Sequence, residues 1–134
     1  MFLETKRKTI GQVLVCVGCC CGRVDRGKPP VPVDWLKGEW KARKLLKTIQ
    51  LTISGCLGPC DLVNVVCIVM PERTVWLGGL NEQKHFDALL GWASQSVAAN
   101  KLAPLPALLA TLEFERFARA AAFAGAIGAG AIGD

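Results

Sequence analysis

The chain has 134 residues, with no tyrosine, one histidine and two methionines. A single histidine excludes a Rieske-type centre, which takes two histidine ligands. Without tyrosine, and with no aromatic platform interleaved among its basic residues, the sequence lacks the stacking surface that single-stranded nucleic acids use, so no nucleic-acid partner is expected. The uncharged runs Thr9 to Gly22 and Ala120 to Gly133 are 14 residues each, short of the about 20 that span a bilayer, and no membrane partner is expected. Met1 to Lys8 places charge ahead of Val13-Leu14-Val15, but that stretch is too short for a signal peptide and meets cysteines instead of a cleavage site, which predicts a cytoplasmic protein. No nucleophile with a base, no paired carboxylates and no phosphate-cradling loop is visible. A non-enzymatic role is therefore expected.

Cysteine, by contrast, is abundant. Four of the seven lie within six residues, Cys16-Val17-Gly18-Cys19-Cys20-Cys21, and a further pair follows in Ser54-Gly55-Cys56-Leu57-Gly58-Pro59-Cys60. In a reducing compartment such clusters are more often metal-binding or catalytic than disulfide-bonded, and the odd total argues against a pure disulfide framework. Six thiols in two short glycine-containing loops suit a soft metal, above all iron. The net charge of +5 comes largely from Lys6, Arg7, Lys8 and the run Lys37, Lys41, Arg43, Lys44, Lys47, a solvated face that also suits an acidic protein partner.

The size fits one compact core. Gln12 to Val17, rich in valine, reads as a buried strand that runs straight into the first cysteine loop. Pro32 and Asp34 open a helix with Trp35, Leu36, Trp40, Leu45 and Leu46 at helical spacing to about Lys47. Thr48 to Ser54 alternates as a half-buried strand and again ends at cysteine. Leu62 to Met70, apolar except for Asn64, has the pattern of a central strand, and Pro71-Glu72 turns it into Arg73 to Leu77. Asn81 is the expected cap of a helix to about Ala98 carrying Phe86, Leu89, Leu90 and Trp92. A further helix is expected from Pro104 to Phe123, followed by a glycine-rich tail too permissive to hold a helix. The order predicts an α/β fold, a thioredoxin-like β-α-β unit joined to a β-β-α unit with a mixed four-stranded sheet and an added C-terminal helix. Residues 1–100 would form the domain and 101–134 the helix and tail. A right-handed crossover would set the first two strands side by side, with both cysteine loops at one sheet edge.

With Cys16-x4-Cys21, a gap of 34 residues and Cys56-Leu57-Gly58-Pro59-Cys60, residues 12 to 98 resemble the thioredoxin-like [2Fe-2S] ferredoxins. That family includes the small cluster-bearing subunit of respiratory complex I. Small stand-alone ferredoxins associated with cobalt insertion and cobalamin biosynthesis, with their cysteine-rich first loop, look similar too. The resemblance implies a [2Fe-2S] cluster on Cys16, Cys21, Cys56 and Cys60, with Cys20 or Cys19 as the alternative second ligand. It implies a one-electron carrier whose redox partner could belong to cobalt or tetrapyrrole metabolism. It also leaves room for a homodimer with the apolar tail as a contact.

Around such a cluster, Gly18, Gly22, Gly55 and Gly58 would bring amide groups to the sulfurs, and Pro59 would stiffen the second loop. Arg23, Arg26 and Lys28 would raise its potential or guide an acidic docking surface. Cys67, mid-strand, reads as a small buried hydrophobe, His85 as a surface or capping residue, and the tryptophans as packing residues. Three other readings of the loop thiols stand beside iron. Cys16-x2-Cys19 with Cys56-x3-Cys60 could form a zinc site. The adjacent thiols could serve soft-metal delivery. Cys16-Val17-Gly18-Cys19 has the spacing of a thiol-disulfide oxidoreductase.

Overall fold

The computed structural model describes residues 2–118. Strand β1, Gly11–Cys16, is followed by helix α1, Val33–Ala42, strand β2, Ile49–Ser54, and the hairpin strands β3, Val65–Val69, and β4, Thr74–Gly78. Helix α2, Gln83–Ala99, and a single-turn helix α3, Ala107–Ala110, complete the order. The sheet runs β2-β1-β3-β4. β1 pairs parallel with β2 and antiparallel with β3, which pairs antiparallel with β4. This is the thioredoxin-like α/β arrangement that the element order predicted.

Alternation explains why these segments are strands. Val13, Val15, Ile49, Leu51, Val66, Ile68, Val75 and Leu77 share one core with Leu36 and Trp40 of α1 and Phe86, Leu89 and Leu90 of α2. Burying that face supplies most of the driving force for the sheet. Trp40 and Trp92 are packing residues whose indoles donate to the Ile49 carbonyl at 2.8 Å and the Ala103 carbonyl at 2.7 Å. Leu102, Ala103, Leu105, Leu109 and Leu112 pack against or within the same core, so residues 102–112 are joined to the domain.

The strands shift by one to three residues from the sequence expectation, and the three helices differ as well. α1 stops at Ala42 because Lys44 takes a left-handed φ of 56°. The Leu45 amide then reaches back to the Trp40 carbonyl at 3.0 Å, a helix-ending bond that swings Leu45 into the core. α2 is capped by Glu82 and not Asn81: a capping box pairs Glu82 with His85, whose Nδ1 accepts from the Glu82 amide at 3.1 Å. His85 therefore has the capping role expected of it. The helix expected over Pro104 to Phe123 reduces, among the described residues, to Ala107–Ala110. Beyond it the backbone pairs with β4, Leu77 bridging Glu113. The rest of that expectation, and the glycine-rich tail, lie outside the described residues.

Candidate metal and redox centre

β1 and β2 are parallel and in register to their last residues, Cys16 opposite Ser54. Both chains therefore leave the sheet at the same end, and the Val17 amide donates to the Ser54 carbonyl at 3.0 Å to hold the exits together. Gly18 then lies against the second loop so closely that a β-carbon there would stand 3.4 Å from the Cys56 nitrogen. The two cysteine loops thus meet backbone to backbone, as the sequence predicted.

The first loop curls so that the Gly18 amide donates to the Cys21 carbonyl at 3.1 Å and the Arg23 amide to the Cys20 carbonyl at 3.2 Å. This turns Cys21 inward beside Cys16 and leaves Cys19 exposed, with Cys20 between the extremes. Cys16 and Cys21 form a small apolar cluster with Val65, and Leu57, Trp76 and Phe114 pack against it. On the second loop the Cys56 and Cys60 sulfurs are 3.1 Å apart. Cys16 is under the electrostatic influence of both Cys21 and Cys56, which sets it between the two loops. Cys21, Cys16, Cys56 and Cys60 are thereby a row of neighbouring thiols across the two loops, with Cys16 and Cys21 clustered on one side and Cys56 and Cys60 in contact on the other.

Their electrostatics are uneven. Burial pushes the Cys16 thiol up to about 12, with further upward pressure from Cys21 and Cys56, while the Leu57 amide donating to its sulfur works in the opposite direction. Cys56 is lowered from its ordinary value by hydrogen bonds from Cys60 and from the Gly58 amide. Cys60 is raised to about 11, chiefly because its proton is held by Cys56. The charges of Cys19 and Cys20 also raise it, which places those two thiols within electrostatic reach of the row. The Leu57 and Gly58 amides thus each act to lower a neighbouring thiol, the kind of influence that stabilises negative charge on sulfur. Among the described residues, no group of three or more His, Cys, Asp or Glu side chains surrounds a point where one metal ion could sit.

The basic residues after the first loop are largely engaged with their own neighbourhood. Arg23 pairs with Asp25 at 2.7 Å and holds its carboxyl down to about 2, and Arg26 donates to the Cys19 carbonyl at 3.3 Å. Cys67 is buried in β3, which pushes its thiol up to about 11. All seven cysteines are free thiols.

Asn64 is a supporting residue that sequence reasoning noted only as an interruption of an apolar run. It is 1% exposed, and its Oδ1 accepts from the Gly22 amide at 2.7 Å, next to Cys21. Its Nδ2 donates to the carbonyls of Leu80 at 3.1 Å and of Pro29 and Pro30 at 3.3 Å. One amide side chain thus ties the exit of the first cysteine loop to the proline loop and to the β4–α2 connection. The only signal in the sequence is a polar residue where a central strand would begin. The chain matches no protein-family model and no curated protein.

Proposed function

We propose that the chain is a thioredoxin-fold [2Fe-2S] protein that carries single electrons to a partner, with Cys16, Cys21, Cys56 and Cys60 as the cluster ligands. The observation that carries this reading is the row of four thiols drawn from two loops that leave one end of a parallel strand pair. A tetrahedral zinc site needs four thiolates around one ion, whereas a [2Fe-2S] cluster asks for two at each iron. The pairs Cys16 with Cys21 and Cys56 with Cys60 suit the second demand better. Bound there, the cluster would supply a reversible one-electron couple. The chain's own residues would hold it through four sulfurs, present the Leu57 and Gly58 amides to them, and shield the Cys16 and Cys21 side with Leu57, Trp76 and Phe114. A Cys16 thiol pushed up to about 12 is a poor free nucleophile, and metal coordination is what would draw its proton off.

Free thiols throughout suit a reducing cytoplasm, where the partner would be an oxidoreductase or metal-insertion enzyme with an acidic docking surface. No helix among the described residues is long and apolar enough to cross a membrane. A second reading is favoured by one observation: the Cys56 and Cys60 sulfurs stand 3.1 Å apart, the proximity that a pair of cysteines needs for thiol-disulfide exchange. Anaerobic purification separates the readings. A [2Fe-2S] protein is expected to be red-brown, to contain two irons and two acid-labile sulfides per chain, and to bleach on dithionite. A colourless chain holding stoichiometric zinc, or holding no metal while reducing disulfides, would overturn the ferredoxin reading.

A further inference from the structure

After α3 the chain turns back over the cysteine end of the sheet. The Leu112 carbonyl accepts from the Gly78 amide at 3.0 Å, and the Phe114 amide donates to the Trp76 carbonyl at 2.9 Å. This adds a short strand-like segment to the free edge of β4. Glu113 pairs with Arg73 at 3.1 Å on its outer side. Three residues further on, the Arg116 guanidinium stacks on aromatic rings, 5.5 Å from the Trp76 centroid and 5.6 Å from that of Phe117. Its Nη2 reaches the second cysteine loop: a β-carbon at Gly58 would stand 2.6 Å from it. Arg116 Nε is buried with no hydrogen-bond partner among the described residues, so the planar stacking and the loop contact orient this side chain.

Gly58 is the middle residue of Cys56-Leu57-Gly58-Pro59-Cys60, and its amide helps to lower the Cys56 thiol. Its φ of 118° is open to glycine but strained for other residues. The loop therefore needs glycine both for its backbone and for the room that the guanidinium takes. We propose that Arg116 is a positioning residue for the Cys56–Cys60 loop, delivered by the segment paired to β4 and oriented by Trp76 and Phe117. By resting on Gly58 it keeps the loop in the conformation in which the two sulfurs are adjacent and the Gly58 amide faces Cys56. The inference rests on the reading of Cys56 and Cys60 as site residues, and it extends that site to a residue 56 positions away from Cys60 in sequence.

The test is amide hydrogen exchange on the full reduced chain, comparing Arg116→Ala, Arg116→Gln and Arg116→Lys with the parent. Exchange over residues 55–62 is expected to quicken about fivefold in the alanine and glutamine variants, the change that follows from losing a stacked cation contact of about 1 kcal/mol. Protection of β1 and α2 should be unchanged, and lysine, which keeps the charge but not the planar fork, should restore part of the effect. In iron-loaded chain, release of iron to a chelator should quicken in the same order. Unchanged exchange over 55–62, or an equal loss of protection in α2, overturns the proposal. A chain that binds no iron but shows the local exchange change would refute the ferredoxin reading while leaving this one standing.

Discussion

Asn64 shows how a single side chain can decide the shape of a site it does not belong to. It satisfies one amide and three carbonyls from the loops around the cysteine end of the sheet. Replacing it by alanine would leave the Gly22 amide and the Leu80 carbonyl without their partner in a buried setting, at about 1–3 kcal/mol for each group stranded. Asn64→Ala is expected to lower unfolding free energy by about 2–4 kcal/mol in urea titration. A loss below about 0.5 kcal/mol would show that the hydrogen bonds are not made in solution. The sequence showed Asn64 as the lone polar residue in an apolar run, yet its partners at Gly22, Pro29 and Pro30 lie more than 30 residues away. Only the fold brings them together. The thiols differ in the same way: the family resemblance implied Cys16, Cys21, Cys56 and Cys60, with Cys19 and Cys20 as alternatives, but not that Cys19 would face outward while Cys21 turns in, because the loop's backbone bonds decide that.

At the scale of elements, every strand and both long helices were legible, because each keeps either a two-residue or near-four-residue rhythm of apolar residues or, in β3, the continuous apolar run of a strand buried on both faces. The failures lie where local propensity lost to pairing. Leu105, Leu108, Leu109 and Leu112 have helical spacing, but two prolines open the segment and the exposed edge of β4 offers its backbone from Trp76 to Gly78. The chain pairs there after one helical turn. Gly78 makes the approach possible: a β-carbon would stand 2.8 Å from Leu62 Cβ and 3.3 Å from Phe114 Cδ1. Gly78→Ala is therefore expected to cost about 1–3 kcal/mol through overpacking and to loosen the paired segment, so that limited trypsin cleavage after Arg116 becomes several-fold faster. Unaltered cleavage with unaltered stability would mean that the segment does not sit on β4 in solution.

The whole molecule has a simple logic. A parallel pair, β1 and β2, ends level, so whatever follows both strands is placed side by side; the antiparallel hairpin on the other flank supplies the wall of Val65 and Trp76. The topology could be read from element order and the handedness of crossovers, and it brought the two cysteine loops together before any side chain was placed. What composition could not reveal is the contribution of residues after 100, since the Phe114 and Arg116 positions depend on a tertiary pairing with no local signature. The central claim is that four particular thiols act as one unit, and iron retention across single serine substitutions of the six loop cysteines tests it most directly. Cys16→Ser, Cys21→Ser, Cys56→Ser and Cys60→Ser are expected to lose or markedly destabilise the bound iron, while Cys19→Ser and Cys20→Ser keep two irons per chain with the parent spectrum. Full retention in Cys21→Ser, or loss in Cys19→Ser, would contradict it.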